Sequence, residues 1–127
     1  RLVSDWSSDV CSSDLFMTGA PLAPSAALCN MTTCLQQQTE WINGAIKYMR
    51  DNGKSVIEPS EAFERAWIEH HDENVNASLF SKTDSWYNGS NIEGKPKRFM
   101  SYTGGAGTYK QKCDDIAKDG YQGFEMA

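Results

Sequence analysis

The chain has 127 residues, 39% hydrophobic and 11% aromatic, which is apolar material for one modest core and excludes a multidomain enzyme within the chain itself. Twelve Lys and Arg against seventeen Asp and Glu give a formal charge of -5, the wrong sign for a nucleic-acid or anionic-membrane footprint. There is no run of about 18 apolar residues to form a transmembrane helix, and four Cys without a C-x-x-C spacing point to a reducing, cytoplasmic compartment rather than a disulfide scaffold.

Residues 1–15 consist of near-repeats, Asp5-Trp-Ser-Ser-Asp9 and Asp9-Val-Cys-Ser-Ser-Asp14, that fit neither a helical nor a strand period. They lack the build of a secretory signal, and their acidity argues against a transit peptide. Back-translated, Asp5 to Leu15 resembles one reading frame of a sequencing adapter; a Ser/Asp-rich disordered leader is the other reading. Either way the stretch is expected to carry no function, and the natural N-terminus to lie upstream of Phe16.

Phe16-Met-Thr-Gly19 is expected to be a short buried strand meeting a turn, and Ala20 to Ser25, with two Pro, a loop. Leu28, Met31, Leu35, Ile42, Ile46 and Met49 recur at helical spacings, predicting one long helix from Asn30 as N-cap to about Asn52, with Gly53 as its stop. Trp41 sits beside the stripe and anchors a second contact. After a short extended connector at Ser55-Val-Ile57, Pro59-Ser60 signals entry into a second helix, Ser60 to about Leu79, with Phe63, Trp67, Ile68, Val75 and Leu79 on its apolar face. Residues 81–97 are rich in turn formers yet carry Trp86, Tyr87 and Ile92. Composition leaves Trp86 as either a plug onto the core or a ligand-facing group. Arg98 to Tyr102 reads as a strand and Thr108 to Asp119 as a third helix closed by Gly120.

Several local patterns read as structural. His70 and His71 in Glu69-His-His-Asp-Glu73 project about 100° apart on a helix and cannot chelate one ion together, so the run is expected to be a solvated helix face and no metal site is assigned. Gly105-x-Gly107 lacks the third Gly of a dinucleotide fingerprint, Lys110 standing in its place, so the Gly run is expected to be a plain turn. Three sequons, at Asn30, Asn76 and Asn88, are attributed to chance because two fall within predicted helices; a secreted glycoprotein is the reading this sets aside. Cys29, Cys34 and Cys113 are expected to be small buried packing residues, with Cys29 near a loop that faces a ligand.

Taken together, Phe16-Met-Thr-Gly-Ala-Pro21, Leu28-Cys-Asn-Met31, Gln38-Thr-Glu-Trp-Ile42, Ala66-Trp-Ile-Glu-His70, Asp84-Ser-Trp-Tyr-Asn-Gly-Ser-Asn-Ile-Glu-Gly-Lys95-Pro, Tyr109-Lys-Gln-Lys-Cys-Asp114 and Gly120-Tyr-Gln-Gly-Phe124 closely resemble the C-terminal region of Baeyer–Villiger monooxygenases. The resemblance runs unbroken from Phe16 to the chain end. It implies an α/β fragment that is predominantly helical, with two long helices, a shorter third helix and a few short strands. The parent would be a flavoprotein with two dinucleotide-binding domains, and residues 16–127 the C-terminal part of its FAD-binding domain.

The implied chemistry uses NADPH to reduce a bound FAD and inserts one oxygen atom of O2 into a ketone, giving an ester or lactone. Carried over residue by residue, Asn30 and Met31 are FAD contacts, Ala27, Leu28 and Cys29 border the substrate, and Trp86 contacts the nicotinamide cofactor from a loop, 81–97, that covers the site. Asn91 and Lys95 belong to that loop without an assigned contact. This sequence carries an extra residue between Pro24 and Asn30 relative to some relatives, which shifts the register of Ala26 and Ala27. The family's fingerprint motifs and active-site Arg lie upstream of what is present, so this chain alone is expected to be inactive. The rival from a different class is an independent small helical module that docks a protein partner through Trp86 and Tyr87.

Overall fold

The computed structural model describes residues 16–90, 93–94 and 97–127. The leader at 1–15, and Asn91, Ile92, Lys95 and Pro96 of the 81–97 loop, lie outside the described residues. The described residues form three α-helices and one two-stranded antiparallel sheet.

Helix α1 spans Met31–Asp51, with Asn30 extended at the N-cap and its side chain accepting from the Thr33 N–H, which satisfies one donor of the open first turn. Its buried line is Cys34, Gln38 and Ala45, flanked by half-buried Leu35, Trp41, Ile42 and Met49. Ile46, expected on the apolar stripe, is 44% exposed. Strand β1 (Ile57–Pro59) precedes α2 (Glu61–Asn76), whose N-cap Ser60 accepts from the Phe63 N–H at 3.3 Å. Helix α2 stops three residues before the expected Leu79 because Ser78 competes for its backbone. The Ser78 hydroxyl donates to the Val75 carbonyl at 2.7 Å and accepts from the Phe80 N–H at 3.2 Å. A 3-10 turn, Leu79–Lys82, follows, and Leu79 is left 77% exposed.

A second 3-10 turn, Trp86–Asn88, ends at Gly89 in the left-handed region. Helix α3 (Ala106–Lys118) starts two residues earlier than the sequence indicates, because Gly105 at φ 88° turns the chain directly into it. The Gly run therefore serves as a turn. Strand β2 (Phe124–Met126), which the sequence reading does not include, pairs with β1 in the register Ile57↔Met126 and Pro59↔Phe124. Two expected strands are absent as such: Thr18 and Gly19 form a turn, and Arg98 to Tyr102 makes a single parallel bridge, Ala23↔Ser101. The Gly19 N–H bonds a side chain, that of Gln38, and the backbone partners of Arg98, Met100 and Tyr102 lie outside any strand, so no ladder builds on either segment.

Aromatic side chains supply most of the packing between elements. Trp41 stands edge-on to Tyr121 at 5.2 Å and 5.7 Å from Phe124, and its Nε1 donates to the Cys113 carbonyl at 2.8 Å. That indole anchors α1 to both α3 and the C-terminal strand, the second contact expected of it. Phe63 reaches Phe124 at 5.4 Å. Across the molecule, Trp67 of α2 stacks on Tyr102 at 5.3 Å and meets Tyr109 of α3 edge-on at 5.8 Å. Each such pair contributes about 0.5–1.5 kcal/mol beyond its buried area.

Candidate functional site

Five of the six singled-out residues are contiguous. Ala27, Leu28 and Cys29 form a turn closed by Leu28 and Cys29 N–H groups that both donate to the Ser25 carbonyl, at 2.9 and 3.0 Å. Asn30 and Met31 follow at the start of α1. Ala27 and Asn30 are exposed, Leu28 is 38% exposed, and Cys29 and Met31 are half-buried. The first turn of α1 holds no acidic side chain, so its free N–H groups and positive dipole end face outward uncancelled, a setting suited to an electron-rich or anionic group.

The sixth, Trp86, lies on the second 3-10 turn and is 65% exposed. Its ring stacks on Tyr87 at 3.9 Å, and Tyr87 in turn approaches Phe99 at 5.8 Å. Tyr87 is therefore the residue that reaches toward buried Phe99, while Trp86 presents an aromatic face outward among the described residues. Asn88 is buried; its side-chain amide donates to the Thr83 and Phe80 carbonyls, so this sequon is engaged by the fold itself.

Beside the Trp86 turn opens a cleft of about 460 Å³ lined by Pro21, Leu22, Asn88, Gly89, Lys97, Arg98 and Met100. Leu22 holds φ at 65°, a left-handed conformation that costs a non-Gly residue roughly 1–2 kcal/mol. On the α1 side, Gly19 also has φ 65°, and a Cβ there would lie 2.9 Å from Met31 Cε. Only Gly fits against Met31 without displacing it. The Gly19 N–H donates to Gln38 Oε1 at 2.7 Å, which makes buried Gln38 a support of this corner.

The histidine run departs from its expected solvation. His71 is fully buried. Its Nε2 donates to the Ser101 carbonyl at 3.2 Å, and its Nδ1 lies 3.2 Å from Asp72 Oδ1; Asp72 pairs with Arg98 at 3.3 Å. His70 Nε2 lies 2.8 Å from the Tyr102 hydroxyl. Desolvation and the nearby Lys112 hold the His70 pKa below the ordinary histidine value. The signal for His71 was present: it stands four residues after Trp67 and four before Val75, in the inward row. No group of three or more metal-ligating side chains occurs among the described residues.

Cys29 and Cys34 lie side by side across the start of α1, with Cα atoms 6.8 Å apart, while Cys113 is free. Burial pushes the Cys113 thiol pKa up. No helix among the described residues is long and apolar enough to cross a membrane.

No family model matches the chain. Individual relatives do. The acetone monooxygenase (methyl acetate-forming) of Gordonia sp. (strain TY-5) is 52% identical over 99% of the chain and 25% of its own length. The crystal structure of cyclohexanone monooxygenase from Rhodococcus sp. Phi1 bound to NADP+ superposes with a TM-score of 0.81 at 32% identity, covering 90% of this chain and 21% of that one. Its homologues are Baeyer–Villiger monooxygenases.

The likeness extends to a solved OTEMO complex with FAD and NADP, at a TM-score of 0.70 and 30% identity over 78% of this chain and 18% of that one. The chain thus spans a quarter or less of the length of these Baeyer–Villiger relatives. The Gordonia alignment covers 99% of the chain and so also reaches into residues 1–15, the stretch expected to carry no function.

Proposed function

We propose that the chain is part of a flavin-dependent monooxygenase that uses NADPH and O2 to convert a ketone into an ester or lactone. The observation that carries this reading is the 52% identity to a relative whose name joins a ketone, acetone, to an ester, methyl acetate. Residues 16–127 form part of the FAD-binding domain, and the 81–97 loop covers the cofactor.

The residues present fit the groups this chemistry requires. Asn30 and Met31 would hold the flavin, since exposed Asn30 and the acid-free first turn of α1 suit negative charge. Bound there, FAD would supply the redox chemistry that activates O2. The outward face of Trp86 and its indole N–H suit the flat edge of the nicotinamide cofactor. Ala27, Leu28 and Cys29 present an accessible, largely apolar turn to the ketone. Covering the site with the Trp86 loop keeps water from the reacting atoms. The chain alone is inactive because it holds no complete dinucleotide fingerprint. We place the parent in the cytoplasm.

The upstream coding sequence tests the assignment. Continuous coding into two Gly-rich fingerprints, and an extended protein that purifies with FAD and oxidises NADPH when ketone is added, are expected. An upstream sequence without such fingerprints, or saturable micromolar FAD binding by the 127-residue chain itself, would overturn it.

A further inference from the structure

We propose that the segment Arg98 to Tyr102 is a joint that sets the substrate turn and the Trp86 turn in one geometry, and that Ser25 and Ser101 are positioning residues for the reaction proposed above, on which this inference rests. The backbone of one residue serves both sides. The Met100 N–H donates to the Tyr87 carbonyl at 2.9 Å, and the Met100 carbonyl accepts from the Leu22 N–H at 2.9 Å. On either side of it, the Arg98 N–H donates to the Asn88 carbonyl at 3.1 Å and the Tyr102 N–H to the Ala23 carbonyl at 3.0 Å. Beyond the bonds internal to each turn, the two therefore share one anchor: a shift of Met100 that relieves one bond strains the other.

Two further observations point to a geometry that is held rather than merely adopted. Leu22, the partner of Met100, sits in the left-handed region at φ 65°, a conformation that persists only where its surroundings over-determine it. Ser101 is 1% exposed, and its hydroxyl lies 2.7 Å from the Ser25 hydroxyl. Ser25 is also the residue whose carbonyl closes the turn carrying Leu28 and Cys29. Ser101 thereby acts on the substrate turn through Ser25, while its own carbonyl is fixed from behind by His71. The consequence is a specificity device: what the ketone meets at residues 27–29 and what the nicotinamide meets at Trp86 move together.

The test uses the full-length enzyme, made by extending the chain with its own upstream coding sequence, and compares Ser25→Ala, Ser101→Ala, the double variant and Trp86→Ala. For each, the ketone KM and the hydrogen peroxide formed from O2 per NADPH oxidised (the peroxide fraction) are measured, alongside the rate of flavin reduction by NADPH without ketone. Ser25→Ala and Ser101→Ala should each raise ketone KM and peroxide fraction together, several-fold, with the reduction rate unchanged. The double variant should be no worse than either single one, because each removes the same hydrogen bond. A purely structural bond would lower the melting temperature and leave both kinetic readouts in place, which overturns the proposal, as does an additive double variant. If Trp86→Ala raises peroxide while the serine variants do not, the joint fails and the site assignment stands. If Trp86→Ala leaves peroxide unchanged, the assignment fails and takes the joint with it.

Discussion

Replacing His71 by Leu separates a buried histidine from a solvated one. Leu nearly matches the imidazole in volume, so little cavity forms, and the main loss is the bond from Nε2 to the Ser101 carbonyl. That carbonyl belongs to a residue 1% exposed and would be left without its donor. An unsatisfied buried polar group costs about 1–3 kcal/mol, and losing the contact to half-exposed Asp72 adds under about 1 kcal/mol. A solvated helix-face position would change stability by less than about 0.5 kcal/mol. The assay is urea unfolding followed by circular dichroism at pH 8, with exposed Glu69→Ala of the same run as the internal control. We expect a loss of about 1–3 kcal/mol for His71→Leu, on the order of 4–12 °C in Tm for a chain of this size, and almost none for the control. Equal, negligible losses in both would refute the packing assigned to His71.

Trp86→Ala should cost no more than about 1.5 kcal/mol, the scale of its exposed stack on Tyr87, where a core plug would cost about 3–5 kcal/mol; thermal melts decide between them. Because the pKa of His70 is depressed in the fold, its neutral form is favoured there, so the stability it contributes is present above the unfolded value of about 6.5 and is lost as pH falls through the lower folded value. Melts of the chain and of His70→Gln across pH 5 to 8 should therefore converge on acidification; parallel curves would contradict the assignment. Deleting residues 1–15 should cost less than about 1 kcal/mol, again read by melting, and a larger loss would show that the leader packs on the domain.

What the sequence made legible was largely local. Asn30 and Ser60 are capping residues whose side chains act within three positions; Asn30 caps as expected, and Ser60, read as a helix-entry signal, caps the second helix. Trp41 was legible as an anchor because a Trp beside an apolar stripe must find something to bury against. Two of the misses depend on distant partners, and the third on a local bond that residue type does not announce. His71 occupies an inward position of α2, but what makes its burial tolerable is a carbonyl 30 residues away. Strand β2 is three residues long, too short to show alternation, and exists because β1 lies beside it. Ser78 looks like any polar helix residue until its hydroxyl bonds backward and ends the helix. In the candidate site, the contiguous half from Ala27 to Met31 carried motif information, whereas its link to Trp86 runs through the Met100 backbone, which leaves no mark in residue type.

The most direct test of the central claim is the fate of oxygen. The chain, extended to full length with its own upstream coding sequence, is supplied with NADPH, a small ketone and heavy-isotope O2, and the product is analysed by mass spectrometry. The account predicts an ester or lactone carrying one heavy oxygen atom, formed in step with NADPH oxidation and absent when FAD is removed. A product without the label, or ketone recovered unchanged while NADPH persists, would contradict it.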